Sequence, residues 1–285
     1  MTGPLPEPAP ATASDGKTSD SDEDAQSEAP GARPMLTTRL VLVRHAVTAQ
    51  TGPLLSGRTP GIDLSEDGQR QAAAVAERLA DLPVVAVYAS PMERTTQTAE
   101  AIAARHRLSV TPLEGVLEAD YGEWTGGKLG ELAKTDLWKV VQRTPSRARF
   151  PGGESMAAMQ SRMVAALDDV VARHPGELVV VVSHADPIKA AIAHYTGVHL
   201  DLFQRIVVAP ASVTAFAFSE HGIALLKCND TGVLEELAPP PAADAATPEA
   251  NVREAGIPPS SEPGAERPGA EGAKSGTAEE APIHA

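Results

Sequence analysis

Short apolar runs punctuate this chain, and between them apolar residues recur at helical spacing. Residues 40–43, 84–88, 108–113 and 178–182 read as strands. Residues 213–218 and 223–228, joined by Glu220-His221-Gly222, read as a closing hairpin. The run at 178–182 is apolar throughout, as a central strand covered on both faces must be. After Ser65-Glu66-Asp67-Gly68, the residues Gln71, Ala72, Val75, Ala76 and Leu79 mark a helix that ends near Pro83. Ser90-Pro91-Met92-Glu93 predicts another start, with Ser90 at the N-cap, Pro91 in the first helical position and Glu93 completing a capping box. A long amphipathic helix is expected over 154–174, behind the turn Pro151-Gly152-Gly153, and Asp186-Pro187 opens a last one through Ala193. Strands alternating with helices predict a three-layer α/β/α domain, its central sheet mostly parallel and completed by the C-terminal hairpin.

Composition limits this pattern to the middle of the chain. Residues 1–34 are rich in Pro, Ala, Ser and acid, and residues 238–285 in Pro, Ala, Glu and Gly, with no run of apolar residues long enough to repay ordering. Both are expected to be disordered, leaving 35–237 as one domain of ordinary size. The net charge of −14 divides unevenly: each flank carries about −5, so the centre is only mildly acidic. A basic face for nucleic acid is therefore not expected. No run reaches the length of a membrane span and the N-terminus lacks the regions of a secretory signal, so no membrane association and a cytoplasmic location are expected. The single cysteine, Cys228, has no internal partner and reads as a buried structural thiol.

Candidate chemistry gathers where strands empty into loops, the places at which open α/β sheets bind ligands. Arg44-His45 follows the first strand and offers a cationic fork beside a nucleophilic imidazole, although a surface Arg-His pair is often only a polar edge. Arg94 stands in the first turn of its helix, where a cation opposes the helix dipole unless an anion binds there. Glu118 is one of several acids in a loop, and His184 ends the central strand, where it is either a satisfied core histidine or a donor to a bound oxyanion.

Together these segments resemble the histidine phosphatase superfamily, also called phosphoglycerate-mutase-like. The resemblance rests on Leu42-Val43-Arg44-His45, on Ser90-Pro91-Met92-Glu93-Arg94-Thr95-Thr96-Gln97-Thr98-Ala99, on Leu117-Glu118 with Tyr121-Gly122-Glu123-Trp124, on Pro151-Gly152-Gly153-Glu154-Ser155 and on Val182-Ser183-His184, in that order from about Arg39 to Cys228. It implies that His45 is the nucleophile, forming a phosphohistidine, and that Arg44, Arg94 and His184 hold the phosphoryl oxygens. Glu118 would protonate the leaving alcohol and then deprotonate water. No metal or other cofactor is implied, and the eight histidines show no ligand-like spacing beyond the weak pair His194 and His199.

Two positions depart from the family pattern: its usual glycine is Ala46, and its loop asparagine is replaced by Thr51 or lost near Gln50-Thr51-Gly52. Thr51 is kept as a candidate phosphate ligand, and Arg58 as a residue facing substrate. Tyr121, Trp124, Arg147 and Arg149 either line the substrate side or only pack and solvate. About 65 residues separate Glu118 from His184, too few for two helices and a long lid as well, which favours hydrolysis of a small phosphomonoester over phosphomutase chemistry. The other alternative is a module that binds phosphorylated ligands without turnover. Oligomeric state is not legible.

Overall fold

The computed structural model describes residues 36–232; the two flanks expected to be disordered, together with residues 35 and 233–237, lie outside the described residues. Six strands, β1 (Thr38–Arg44), β2 (Val84–Ala89), β3 (Val110–Pro112), β4 (Leu178–Ser183), β5 (Val213–Ser219) and β6 (Gly222–Asp230), form one sheet in the order β3-β2-β4-β1-β5-β6. The first four pair in parallel, while β5 runs antiparallel to both β1 and β6, so the expected mostly parallel sheet with a closing hairpin is what forms.

Side-chain alternation along β1 builds the layers. Val41 and Val43 pack on α1 (Glu66–Leu79) and α2 (Glu93–His106), through Val75, Ala76, Ile102 and Ala103. Leu40 and Leu42 face α5 (Met156–Arg173) and α6 (Ala185–Tyr195), through Leu167, Val170, Ile188 and Ile192. Strand β4 lies between β1 and β2 and is buried along its whole length, which is why it tolerates no polar residue before Ser183.

Several boundaries differ from the sequence reading. Helix α2 begins at Glu93 with Met92 as N-cap, and no side chain caps it, so the expected Ser90–Glu93 capping box is absent. Ser90 still belongs to the sheet: its N–H donates to the Val182 carbonyl at 3.0 Å. Strand β3 is shorter than expected because Leu108 closes the end of α2, donating to Ala103 O behind the left-handed Arg107. Helix α5 begins at Met156 rather than at Glu154, because Ser155 caps it by accepting from Ala158 N. Cys228 is exposed rather than buried, because β6 is the outer edge of the sheet and most of the strand is exposed.

Two short helices, α3 (Leu129–Leu132) and α4 (Asp136–Arg143), fill the segment after Glu118, so that with α5 three helices, rather than the expected two, lie between Glu118 and His184. They close a third cluster around Trp124, Phe150 and Phe203. None of the helices among the described residues is long and apolar enough to cross a membrane.

Candidate active site

Parallel register brings the chemistry to one end of the sheet. Val182 of β4 lies opposite Val43 on one side and Ala89 on the other, so β1, β4 and β2 finish level with one another. The ladder continues one residue further: His45 N donates to Ser183 O at 2.9 Å, and Ser90 N to Val182 O. Arg44, His45, Ser90 and His184 are thereby set side by side by backbone bonds alone.

His45 is 6 % exposed, and its Nδ1 lies 2.8 Å from the Ala46 carbonyl oxygen. A carbonyl only accepts, so in the neutral ring Nδ1 carries the hydrogen and Nε2 keeps its lone pair. Burial, reinforced by Arg44 and Arg94, holds the His45 pKa well below the usual imidazole range, so the ring is neutral at neutral pH. Ala46 is compatible with this backbone: its φ is not positive, and its methyl is buried against the α1 and α2 layer. Beyond it, Val47 N donates to Gln71 Oε1 and Val47 O accepts from Ser65 N, bracing the loop on α1. Gly68 permits that approach, since a Cβ there would lie 2.0 Å from Val47 O.

Arg94 is 2 % exposed, and its Nη2 donates to Gly57 O at 2.7 Å and to His184 Nδ1 at 3.2 Å. Arginine has no acceptor, so His184 Nδ1 must accept, and His184 Nε2–H then donates to Ser90 Oγ at 2.8 Å. His184, fully buried and lowered in pKa chiefly by burial and then by Arg94, thus has both nitrogens engaged. It stands edge-on to His45, with ring centroids 5.2 Å apart. The Nη1 of Arg94 is buried without a partner among the described residues. A cation of this kind at the start of α2 suits an oxyanion that the protein itself does not supply. Arg44 Nη1 is held by Val208 O at 2.7 Å.

Glu118 reaches the same place by a different route. Ser183 Oγ donates to Val116 O at 2.7 Å, tying the loop after β3 to the end of β4. Arg162 of α5 then donates to the carbonyls of Gly115, Leu117 and Glu118 at 2.8–2.9 Å, and binds both carboxylate oxygens of Glu154. Arg58 adds a bond to Glu118 O at 2.9 Å and another to Glu154. The Glu118 carboxyl accepts from Ala119 N and is pushed up to about 7, first by burial and then by the charge of Asp186, against the pull of Arg94 and Arg44. It can therefore be protonated or ionised near neutral pH, as an acid–base group must.

The sequence profile of the histidine phosphatase superfamily (branch 1) matches residues 40–231. The chain belongs to that superfamily. Phosphoserine phosphatase 1 of Hydrogenobacter thermophilus is 35% identical to it over 204 residues, covering 70% of this chain and 95% of that protein. Among solved structures, Bacillus stearothermophilus YhfR superposes with a TM-score of 0.64 at 25% identity, over 68% of this chain and 97% of the other. A phosphoserine phosphatase mutant from Entamoeba histolytica in complex with phosphoserine gives 0.62 at 26%, over 68% and 98%.

Of the residues singled out in this histidine phosphatase sequence, Arg44, His45, Arg94, Glu118 and His184 converge. Thr51 and Arg58 are otherwise engaged. The Thr51 hydroxyl accepts from Thr48 N at 2.9 Å and lies 3.1 Å from Thr48 Oγ1, so it builds the turn that follows His45. Arg58 holds the Glu118 loop, as above. Trp124 packs on Trp138 and Phe150, and Arg147 and Arg149 are exposed. His199 contacts Asp201, His194 lies against Tyr195, and no metal-ligand cluster occurs among the described residues. Ser90, Arg162, Glu154 and Asp186 were not read as site residues. Arg162 had one sequence signal, a lone cation in the helix turn between the core residues Met159 and Met163.

Proposed function

We propose that this protein hydrolyses small phosphomonoesters through a phosphohistidine on His45, with Glu118 as acid and then base. The observation that carries the reading is a pair: His45 is held as a neutral ring whose Nε2 keeps its lone pair, beside a buried Arg94 nitrogen that has no partner among the described residues. In the first step Nε2 bonds to phosphorus while the ester P–O bond breaks and protonated Glu118 gives its proton to the leaving alkoxide. In the second, ionised Glu118 takes a proton from water, whose oxygen bonds to phosphorus as the N–P bond breaks. Arg44 and Arg94 hold the phosphoryl oxygens through both steps. His184 keeps Arg94 in place through Nδ1, rather than giving the oxyanion a proton from that nitrogen.

These guanidinium groups supply the positive charge that phosphoryl transfer needs, so no metal enters the scheme. Phosphoserine is the first ester to try, because it is named for two of the similar proteins. The test is phosphate release from a panel of phosphomonoesters with chelator present, for the wild type and for His45→Ala, with 3-phosphoglycerate and its bisphosphate cofactor assayed in parallel. Release that ignores chelator and is lost in His45→Ala supports the hydrolase. Isomerisation without net release makes the protein a mutase, and binding without either reaction makes it a phospho-ligand module.

A further inference from the structure

Arg44 is gripped at three points by one segment at the head of β5. Its N–H donates to Ser212 O at 3.3 Å, its carbonyl accepts from Ala211 N at 3.1 Å, and its Nη1 donates to Val208 O at 2.7 Å. Within that segment Ala209-Pro210-Ala211-Ser212 is a tight turn, closed by Ser212 N on Ala209 O at 3.1 Å. Pro210 supplies the fixed negative φ that such a turn wants first, but Ala211 follows with a φ of 56°, in a position that usually falls to Gly or Asn. The Ala211 Cβ makes that conformation strained.

The turn is anchored from the far edge of the sheet. Ala209 N donates to Asn229 Oδ1 at 2.6 Å. Asn229 also has a positive φ, 52°, and its N–H donates to Thr214 Oγ1 at 3.3 Å. The β5–β6 register slips here: Val213 pairs with Asp230 but Ala215 with Lys227, so β6 carries an extra residue. A bulge re-aims the side chain it carries, and this one delivers the Asn229 carbonyl oxygen to Ala209. Among the described residues three that are not glycine have positive φ, and two of them, Ala211 and Asn229, meet in this one assembly. Strain concentrated beside a site points to a geometry held for a purpose.

We infer that Asn229 is a positioning residue for Arg44: by fixing Ala209 it sets the adjoining Val208 carbonyl, which turns the guanidinium toward the phosphoryl group. The work given to that guanidinium rests on the hydrolase reading, whereas the path from Asn229 through Ala209 and Val208 to Arg44 stands on its own hydrogen bonds.

Asn229→Gly keeps the positive φ but removes the acceptor, and Asn229→Asp keeps both. The first readout is nitrogen NMR of the Arg44 guanidinium in the full chain, assigned by its loss in Arg44→Lys. Held Nη groups give separate signals, and freely rotating ones give an averaged signal. Separate signals are expected in the wild type and in Asn229→Asp, and an averaged one in Asn229→Gly. The second readout is calorimetric binding of inorganic phosphate, whose Kd should rise about tenfold in Asn229→Gly and return to within about twofold in Asn229→Asp. In an Arg44→Ala background Asn229→Gly should change that Kd no further. Arg78→Ala removes the bonds from α1 to Asp230 at the same end of β6, and it should leave both readouts unchanged. Unchanged Arg44 signals in Asn229→Gly overturn the proposal, as do the same changes in Arg78→Ala or an equal loss of phosphate affinity with and without Arg44. A protein that fails the phosphate-release assay can still show guanidinium signals that depend on Asn229, and a working hydrolase whose Arg44 signals ignore Asn229 refutes only the present proposal.

Discussion

The two halves of the site are built by different physics. His45, Ser90 and His184 stand at the ends of parallel strands, where ladder bonds at 2.9 and 3.0 Å and the paired register fix them. Glu118 hangs in a loop and is fixed by side chains: Arg162 alone spans three carbonyls and a carboxylate. The backbone of the strand-end half is displaced only by disrupting the sheet, whereas the backbone of the loop half can be loosened by one substitution on α5. In the proposed scheme the nucleophile and the phosphate grip fall in the ladder-held half, and the acid–base group in the half held by a side-chain clamp.

After the loss of release expected for His45→Ala, the next largest effect comes from the loop half. Glu118→Gln should lower kcat by a factor of about 10² to 10⁴ on alkyl esters, the usual range for a lost general acid, measured at saturating substrate. The same variant should be more stable than wild type at alkaline pH. Because the folded-state pKa of Glu118 is raised to about 7, the folded protein holds a proton that the unfolded chain has released. Stability therefore declines as pH climbs from about 4.5 through 7, by about 3 kcal/mol in total, and glutamine removes that decline. Thermal melts at pH 5 and pH 8.5 compare the two proteins directly.

Arg162→Leu comes next. Loss of the clamp leaves the carbonyls of residues 115, 117 and 118 and the Glu154 carboxylate short of donors, costing about 3 kcal/mol. The folded enzyme should also lose about a hundredfold in kcat with little change in KM, since the acid is misplaced while the phosphate grip survives. Val180→Ala in β4 provides the contrast: about 2 kcal/mol of stability is expected to go, with kcat of the folded enzyme unchanged. If Arg162→Leu behaves like Val180→Ala, the clamp is only scaffolding.

Ser90→Ala should cost about tenfold in kcat/KM, because His184 Nε2 loses its acceptor and Arg94 its fixed partner. Smallest of all is Thr51→Ala. The hydroxyl serves the Thr48 turn, so the expectation is about 0.5–1 kcal/mol of stability and less than about a twofold change in KM. A large KM effect would return Thr51 to the substrate side.

The same division explains what the sequence made legible. A buried strand followed by Arg-His, or by Ser-His, is a local signal whose meaning stays open until the resemblance ties the segments together, and the parallel register then brings Arg44, His45 and His184 to one end of the sheet. Arg94 was readable because a cation at a helix start needs a reason. The clamp was not, because Arg162, Glu154 and Arg58 meet over sequence separations of up to 96 residues, and nothing in a local pattern says which cation will find which carbonyl. Ser90 misled for a physical reason: Ser-Pro before an acidic residue is a sound helix start, but β2 runs into Ser90, whose side chain instead meets a histidine 94 positions away. Cys228 misled because an alternating apolar strand is buried only when a layer covers it, and the sheet ends at β6.

The most direct measurement is rapid-quench labelling of the wild type with a ³²P-labelled phosphomonoester that it turns over, followed by peptide mapping. Label on the peptide containing His45, stable to base, labile to acid and absent from His45→Ala, is the expected result. Turnover without such label, or label that persists in His45→Ala, would contradict the assignment of His45 as nucleophile.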